Sequence, residues 1–134
     1  MIFRTQLSKD TYSIGTESVK VQIQGEDVYL YPDVFVSNAI ANPESTFVIK
    51  DPVLIAEVLS DSTRRYDSTD KFIQYSKIES LQYYLLVEPE KQVVIFYEKT
   101  ADGDWVAKTY TENEEEVKLP LLNASLRLGD IYGK

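Results

Sequence analysis

The chain has 134 residues, 14 basic and 22 acidic, for a formal net charge of −8. It contains no cysteine and no histidine, which excludes disulfides, thiolate nucleophiles, zinc–thiolate clusters, Ser–His–Asp and Cys–His catalysis and the commonest transition-metal sites. What remains is carboxylate chemistry with a hard cation such as Mg²⁺, assisted by Lys, Tyr or Arg.

The mix of 43% hydrophobic and 27% charged residues is that of an ordinary globular domain, and the length suits one domain spanning residues 1–134. Its acidity repels polyanions at long range, so a nucleic-acid role needs a local basic surface working against that field. The opening MIFRTQLSKD lacks the apolar core of a signal peptide, and no stretch approaches the roughly 20 apolar residues of a membrane span. A cytoplasmic location with no membrane partner is expected.

Met1–Leu7 is weakly strand-like. Ser18–Ile23 and Val28–Tyr31 flank Gln24-Gly25-Glu26-Asp27 and read as a hairpin. After Pro32, Asp33-Val34-Phe35-Val36-Ser37 carries the β-branched and aromatic residues of a strand. Asn38–Asp51 reads as a loop with a short extended piece at Phe47–Ile49. Val53–Ser60 is a continuous apolar run of the kind found in strands covered on both faces, interrupted only by Glu57.

Asp67 or Ser68 caps a predicted helix over Thr69–Lys77, with Phe72, Ile73 and Ser76 toward the core and Tyr75 beside them. Leu81–Glu88, Gln92–Glu98 and Trp105–Thr111 form a predicted three-stranded meander. The acidic segment Glu112–Glu116 follows as a solvated run that discourages strand addition at an edge. Leu121, Leu122, Leu126, Leu128 and Ile131 form an apolar tail packing back on the body. The order of elements predicts a small α/β (α+β) domain, a sheet with a helix on one face.

Glu57 carries the functional question. An ionised carboxylate inside an apolar strand is costly unless it is paired. Alternation places Glu57 on one face with Ile55 and Leu59, and places Asp33 on one face with Phe35 and Ser37. If the two strands are neighbours, the acids meet, and a divalent cation such as Mg²⁺ would join them. Lys71, on the following helix, is the candidate to orient or deprotonate an attacking water and stabilise phosphorane charge.

The stretches "YPDVFVS" (Tyr31–Ser37), "VLIAEVLSDST" (Val53–Thr63), "DSTDKFIQYSKIESLQYYLLVEP" (Asp67–Pro89) and "KQVVIFYE" together resemble the Uma-type restriction endonuclease family of the PD-(D/E)XK nuclease superfamily. The resemblance covers Val28–Tyr97 well, and the closing "LPLLNASLRLGDIY" is similar too. It implies a restriction endonuclease-like mixed sheet flanked by helices with a C-terminal antiparallel meander, cleavage of DNA phosphodiester bonds and Mg²⁺, or Mn²⁺, as cofactor. It implies Asp33, Glu57 and the backbone carbonyl of Val58 as metal ligands and Lys71 as the catalytic lysine. The superfamily's usual lysine position is Leu59 here, which cannot serve. Family members commonly begin with a further N-terminal helical segment, and this chain reads as shortened there.

Other readings stand beside this one. For Glu57 the rival is a structural ion pair with Lys71 or Arg64, sitting in the same place as the catalytic arrangement. Lys71 is also readable as an exposed helix lysine pairing with Asp67. Ser60, Ser62 and Thr63 suit turn and cap roles, and Arg64 and Arg65 suit a solvated pair or phosphate contact. Tyr83 and Tyr84 suggest core and subunit interface, and the apolar strands suggest a homodimer. A catalytically inactive nuclease fold acting as a dimeric binding or regulatory module is the alternative function.

Overall fold

The computed structural model describes residues 12–16, 20–22, 29–30, 33–38, 48–49, 51–59 and 70–133. The strands are β1 (Tyr12–Thr16), β2 (Lys20–Gln22), β3 (Tyr29–Leu30), β4 (Val34–Asn38), β5 (Val48–Ile49), β6 (Pro52–Val58), β7 (Tyr83–Val87), β8 (Val94–Lys99), β9 (Trp105–Tyr110), β10 (Glu116–Leu119) and β11 (Ala124–Arg127). Short helices lie at Phe72–Tyr75 and Leu128–Ile131, with a 3-10 turn at Pro120–Leu122.

Among the described residues, the main sheet has six strands in the order β1-β4-β6-β7-β8-β9. Its pairs are antiparallel except β6 with β7, which run parallel. Parallel neighbours require a crossover, and the segment carrying Phe72–Tyr75 makes it. β6 and β7 occupy the centre because they are the most apolar stretches: Leu54, Ile55, Tyr83, Tyr84, Leu85 and Leu86 are all buried. A smaller sheet pairs β2 antiparallel with β3 and parallel with β5. The expected hairpin strands and the expected extended piece are therefore both present. β1 was not read from the sequence. The strand-like Met1–Leu7, the Gln24–Asp27 turn and the Asp67/Ser68 cap lie outside the described residues.

Each face of the main sheet has its own core. Val36, Leu54, Tyr83, Leu85, Val94 and Phe96 pack against Val117, Leu119, Leu122, Leu126 and Leu128 from the C-terminal segment. Phe35, Ile55, Leu59, Tyr84 and Leu86 pack against Tyr75, Ile78 and Leu81 from the crossover. Full burial of such a side chain contributes about 1.5–3 kcal/mol over leaving it exposed.

The apolar tail packs back as expected, but as an unforeseen hairpin. β10 pairs β11 in the register Val117↔Leu126 and Leu119↔Ala124, so alternate residues of both strands reach the core. Glu116 therefore opens a strand, with its side chain on the exposed face, as expected of the solvated run. Leu121 is exposed, because the 3-10 turn aims Leu122 inward instead.

The helix differs from expectation in extent and in facing. Its α-helical part is Phe72–Tyr75, preceded by a wide π-type turn at Asp70–Lys71. Ile73 is 56% exposed, whereas Tyr75 and Ile78 are fully buried and Phe72 is half-buried. Phe72, Tyr75 and Ile78 recur every third residue and share one face, while Ile73 lies about 100° from Phe72 around the axis. Ser76 is half-buried, and its hydroxyl donates back to the Ile73 carbonyl at 2.8 Å. Tyr83 and Tyr84 are both buried within a single copy. They are core residues and not a subunit interface.

Candidate active site

Alternation along β6 puts Ile55, Glu57 and Leu59 on the face covered by the crossover helix. Glu57 is only 1% exposed. Val58 points the other way and is 46% exposed, because β6 ends there. The neighbouring β4 pairs with β6 in the register Val34↔Ala56, so Asp33, one residue before β4, arrives beside Glu57 and Val58.

Two hydrogen bonds fix that junction. The N–H of Asp33 donates to Glu57 Oε1 at 3.2 Å. The N–H of Val58 donates to Asp33 Oδ2 at 2.7 Å. Side-chain oxygens thus take over where the backbone ladder stops, and each carboxylate is oriented by the other strand.

Lys71 completes the group. Its Nζ lies 2.7 Å from Glu57 Oε2, with the lysine side chain 16% exposed and the glutamate side chain 2% exposed. The adjacent Phe72 holds this part of the chain in place. Its ring stacks on Tyr97 at 4.4 Å between centroids, meets Trp105 edge-on at 5.4 Å and touches Tyr84 at 5.4 Å. Tyr75 packs on Tyr84 one turn later. Each aromatic pair contributes about 0.5–1.5 kcal/mol beyond its buried area. Lys71 is therefore carried by an anchored segment and is not the exposed lysine of the blander reading.

Asp33, Glu57, Val58 and Lys71, distant along the chain, occupy one site. Ser60, Ser62, Thr63, Arg64, Arg65 and Asp67 lie outside the described residues. What sequence reading missed is the pair of backbone donors, for which a sequence offers no signal, and the Phe72 anchor, whose signal is an aromatic residue directly after the candidate lysine. Among the described residues, no group of three or more Asp, Glu, His or Cys side chains surrounds a metal position. The donor set is two carboxylates, which suits Mg²⁺, an ion that commonly takes one or two carboxylates and keeps several waters.

The sequence profile of a family described as "Putative restriction endonuclease", Uma2, matches residues 3–129. The chain belongs to the Uma2 family. Two curated Synechocystis sp. proteins, both called "Uncharacterized protein", are similar along most of the chain. One is 34% identical over 131 residues, covering 98% of this chain and 68% of its own length. The other is 31% identical over 113 residues, covering 83% of this chain and 64% of its own length. The crystal structure of a "putative nuclease" from Anabaena variabilis superposes with a TM-score of 0.75 at 18% identity, covering 93% of this chain and 70% of that one. That likeness establishes the α+β nuclease-like fold for this Uma2 member. Among the described residues, no helix is long and apolar enough to cross a membrane.

Proposed function

We propose that this Uma2 protein is a Mg²⁺-dependent, endonuclease-like hydrolase acting on DNA phosphodiester bonds, working as a cytoplasmic homodimer. The observation that carries the reading is the meeting of Asp33, Glu57 and Lys71 at the end of β6. Family membership and the nuclease-like fold support it.

In this reading Asp33, Glu57 and the Val58 carbonyl hold the metal. When bound, Mg²⁺, or Mn²⁺ in its place, supplies Lewis-acid polarisation of a phosphoryl oxygen. The chain's own residues do the rest. The N–H groups of Asp33 and Val58 fix the carboxylates in orientation, so little reorganisation is needed when substrate arrives. Lys71 holds a positive charge at Glu57 Oε2, within reach of a phosphate or an attacking water drawn to that oxygen. The lysine side chain is only 16% exposed, and this partial removal from water strengthens the electrostatics at its head group.

The experiment is plasmid nicking by purified protein with Mg²⁺ or Mn²⁺. Activity should be lost in Glu57→Gln and in Lys71→Ala. Equal activity in wild type and Glu57→Gln would mark a contaminant and end the proposal.

A specific observation favours a second reading, a nuclease fold kept as a binding or regulatory module. Glu57 already has a cation, the Lys71 ammonium at 2.7 Å. A buried acid closed in this way needs no metal. Titration calorimetry separates the two. Mn²⁺ binding abolished by Asp33→Asn supports the metal site, and absence of Mn²⁺ binding by wild type supports the module.

A further inference from the structure

β9 ends the main sheet, and among the described residues no strand lies beyond it. Its neighbour β8 uses the backbone groups of alternate residues. The turn before β9 shows which ones, since the Thr100 N–H donates to the Asp104 carbonyl at 2.7 Å. With the register Glu98↔Val106 and Phe96↔Lys108, the even-numbered residues of β9 bond inward to β8. The N–H and C=O groups of Trp105, Ala107 and Thr109 therefore point away from the sheet.

The side chains along this edge form a pattern that is complementary to itself. Asp104, Val106 and Lys108 follow one another at spacing two on one face, and all are exposed, Val106 at 57%. Turned antiparallel about Val106, a second copy places its Lys108 opposite Asp104, its Val106 opposite Val106 and its Asp104 opposite Lys108. These are non-hydrogen-bonded pairs, the ones whose side chains come closest. In the same register Trp105 and the partner's Ala107 form the hydrogen-bonded pair, and the outward backbone groups satisfy each other. On the opposite face, Ala107 has the small side chain that leaves room beside the Trp105 ring.

We propose that β9 is a self-pairing edge: two copies join antiparallel through β9, centred on Val106, and fuse their main sheets into one continuous sheet. The occupant is a second copy because the charges match only that reversal. A lysine in mid-edge normally discourages strand addition. Here it is met by an aspartate four residues earlier, so self-pairing brings opposite charges together at both ends. Lys108 rests 5.0 Å from the centre of the Tyr110 ring, a solvent-accessible arrangement that it can leave without breaking the core. This edge lies apart from Asp33, Glu57 and Lys71; the pairing rests on the proposed homodimer and names its interface, while plasmid nicking tests the site separately.

Sedimentation equilibrium of the full chain tests the inference, with Trp105, the only tryptophan, as an independent reporter of association. Wild type should dimerise with concentration, and Trp105 emission should shift to the blue as its ring is covered. Asp104→Lys and Lys108→Asp each set like charges opposite one another at both ends and should weaken the dimer by more than about tenfold. The double charge swap should restore it. Thermal melts of the variants at monomer concentrations should remain cooperative, so that lost association is not unfolding, since both positions are exposed. A wild-type monomer at all concentrations overturns the proposal, and so does a dimer indifferent to either single charge reversal or one that the double swap fails to rescue.

Discussion

The N–H of Asp33 donates to Glu57 Oε1 at 3.2 Å, while the carboxylate of Asp33 accepts the N–H of Val58 at 2.7 Å. The two strands thus cross-brace each other just past their last backbone pair, Val34↔Ala56. Each acid orients the backbone beside the other. Loss of either carboxylate leaves an N–H donor on the opposite strand without its acceptor, and such a loss costs about 1–3 kcal/mol where the group is buried.

The Glu57–Lys71 pair should dominate the stability of this corner. Lys71→Met removes the ammonium 2.7 Å from a carboxylate that is 1% exposed. Breaking one side of such a buried pair costs about 3–5 kcal/mol, whereas replacing both sides is often nearly neutral. Urea denaturation should show Lys71→Met strongly destabilised and the Glu57→Gln, Lys71→Met double variant closer to wild type than the sum of the single losses.

Tyr132 ties the C-terminus to the β7–β8 turn. Its hydroxyl lies 2.6 Å from the Glu88 carbonyl and 2.9 Å from the Val93 carbonyl, which share its proton, and it accepts the Val93 N–H at 3.2 Å. Burial, the largest cause, pushes its pKa above the usual tyrosine value of 10.0. A group that holds its proton more tightly when folded stabilises fully below the unfolded pKa and loses that contribution as pH rises through the folded one. The Tm advantage of wild type over Tyr132→Phe should therefore be constant at neutral pH and shrink above pH 10.

Glu115 gives the opposite sign. Its Oε1 accepts the N–H groups of Thr111 and Glu112, each at 3.0 Å. The Glu112 and Thr111 bonds hold the carboxyl below the ordinary glutamate value, with Lys108 a further, smaller cause after burial's opposing effect. Its contribution is therefore present above the unfolded pKa and disappears as pH falls through the folded one. The Tm difference between wild type and Glu115→Ala should persist at pH 7 and close in acid, below about pH 4.

Asn123 adopts φ 51 and ψ 44, the left-handed region, where the 3-10 turn hands the chain to β11. Asparagine tolerates this conformation and β-branched residues do not. Asn123→Val should cost about 1–2 kcal/mol, while Asn123→Gly should leave stability nearly unchanged. Chemical denaturation of the two variants distinguishes backbone strain from loss of the side chain.

The sequence by itself determined the central strands and singled out Asp33 and Glu57 as acids that adjacent strands would bring together. Continuous apolar runs around Leu54–Ile55 and Tyr83–Leu86 have nowhere to go but the middle of a sheet, and period-two alternation is a local property readable from spacing alone. Glu57 stood out because a lone charge in such a run must find a partner. Only the tertiary structure brought one within reach: the anchoring of Phe72 on Tyr97 and Trp105 delivers Lys71 to Glu57, while Arg64, the other candidate along the chain, lies outside the described residues. The facing of the short helix was also beyond local reading, because Ile73 and Tyr75 are both apolar and only the sheet beneath them chooses. The β10–β11 hairpin stayed hidden for the same reason. Its strands alternate over few residues, and their inward side chains Val117, Leu119 and Leu126 join the core cluster on one face of the main sheet, a long-range term that no window of sequence contains.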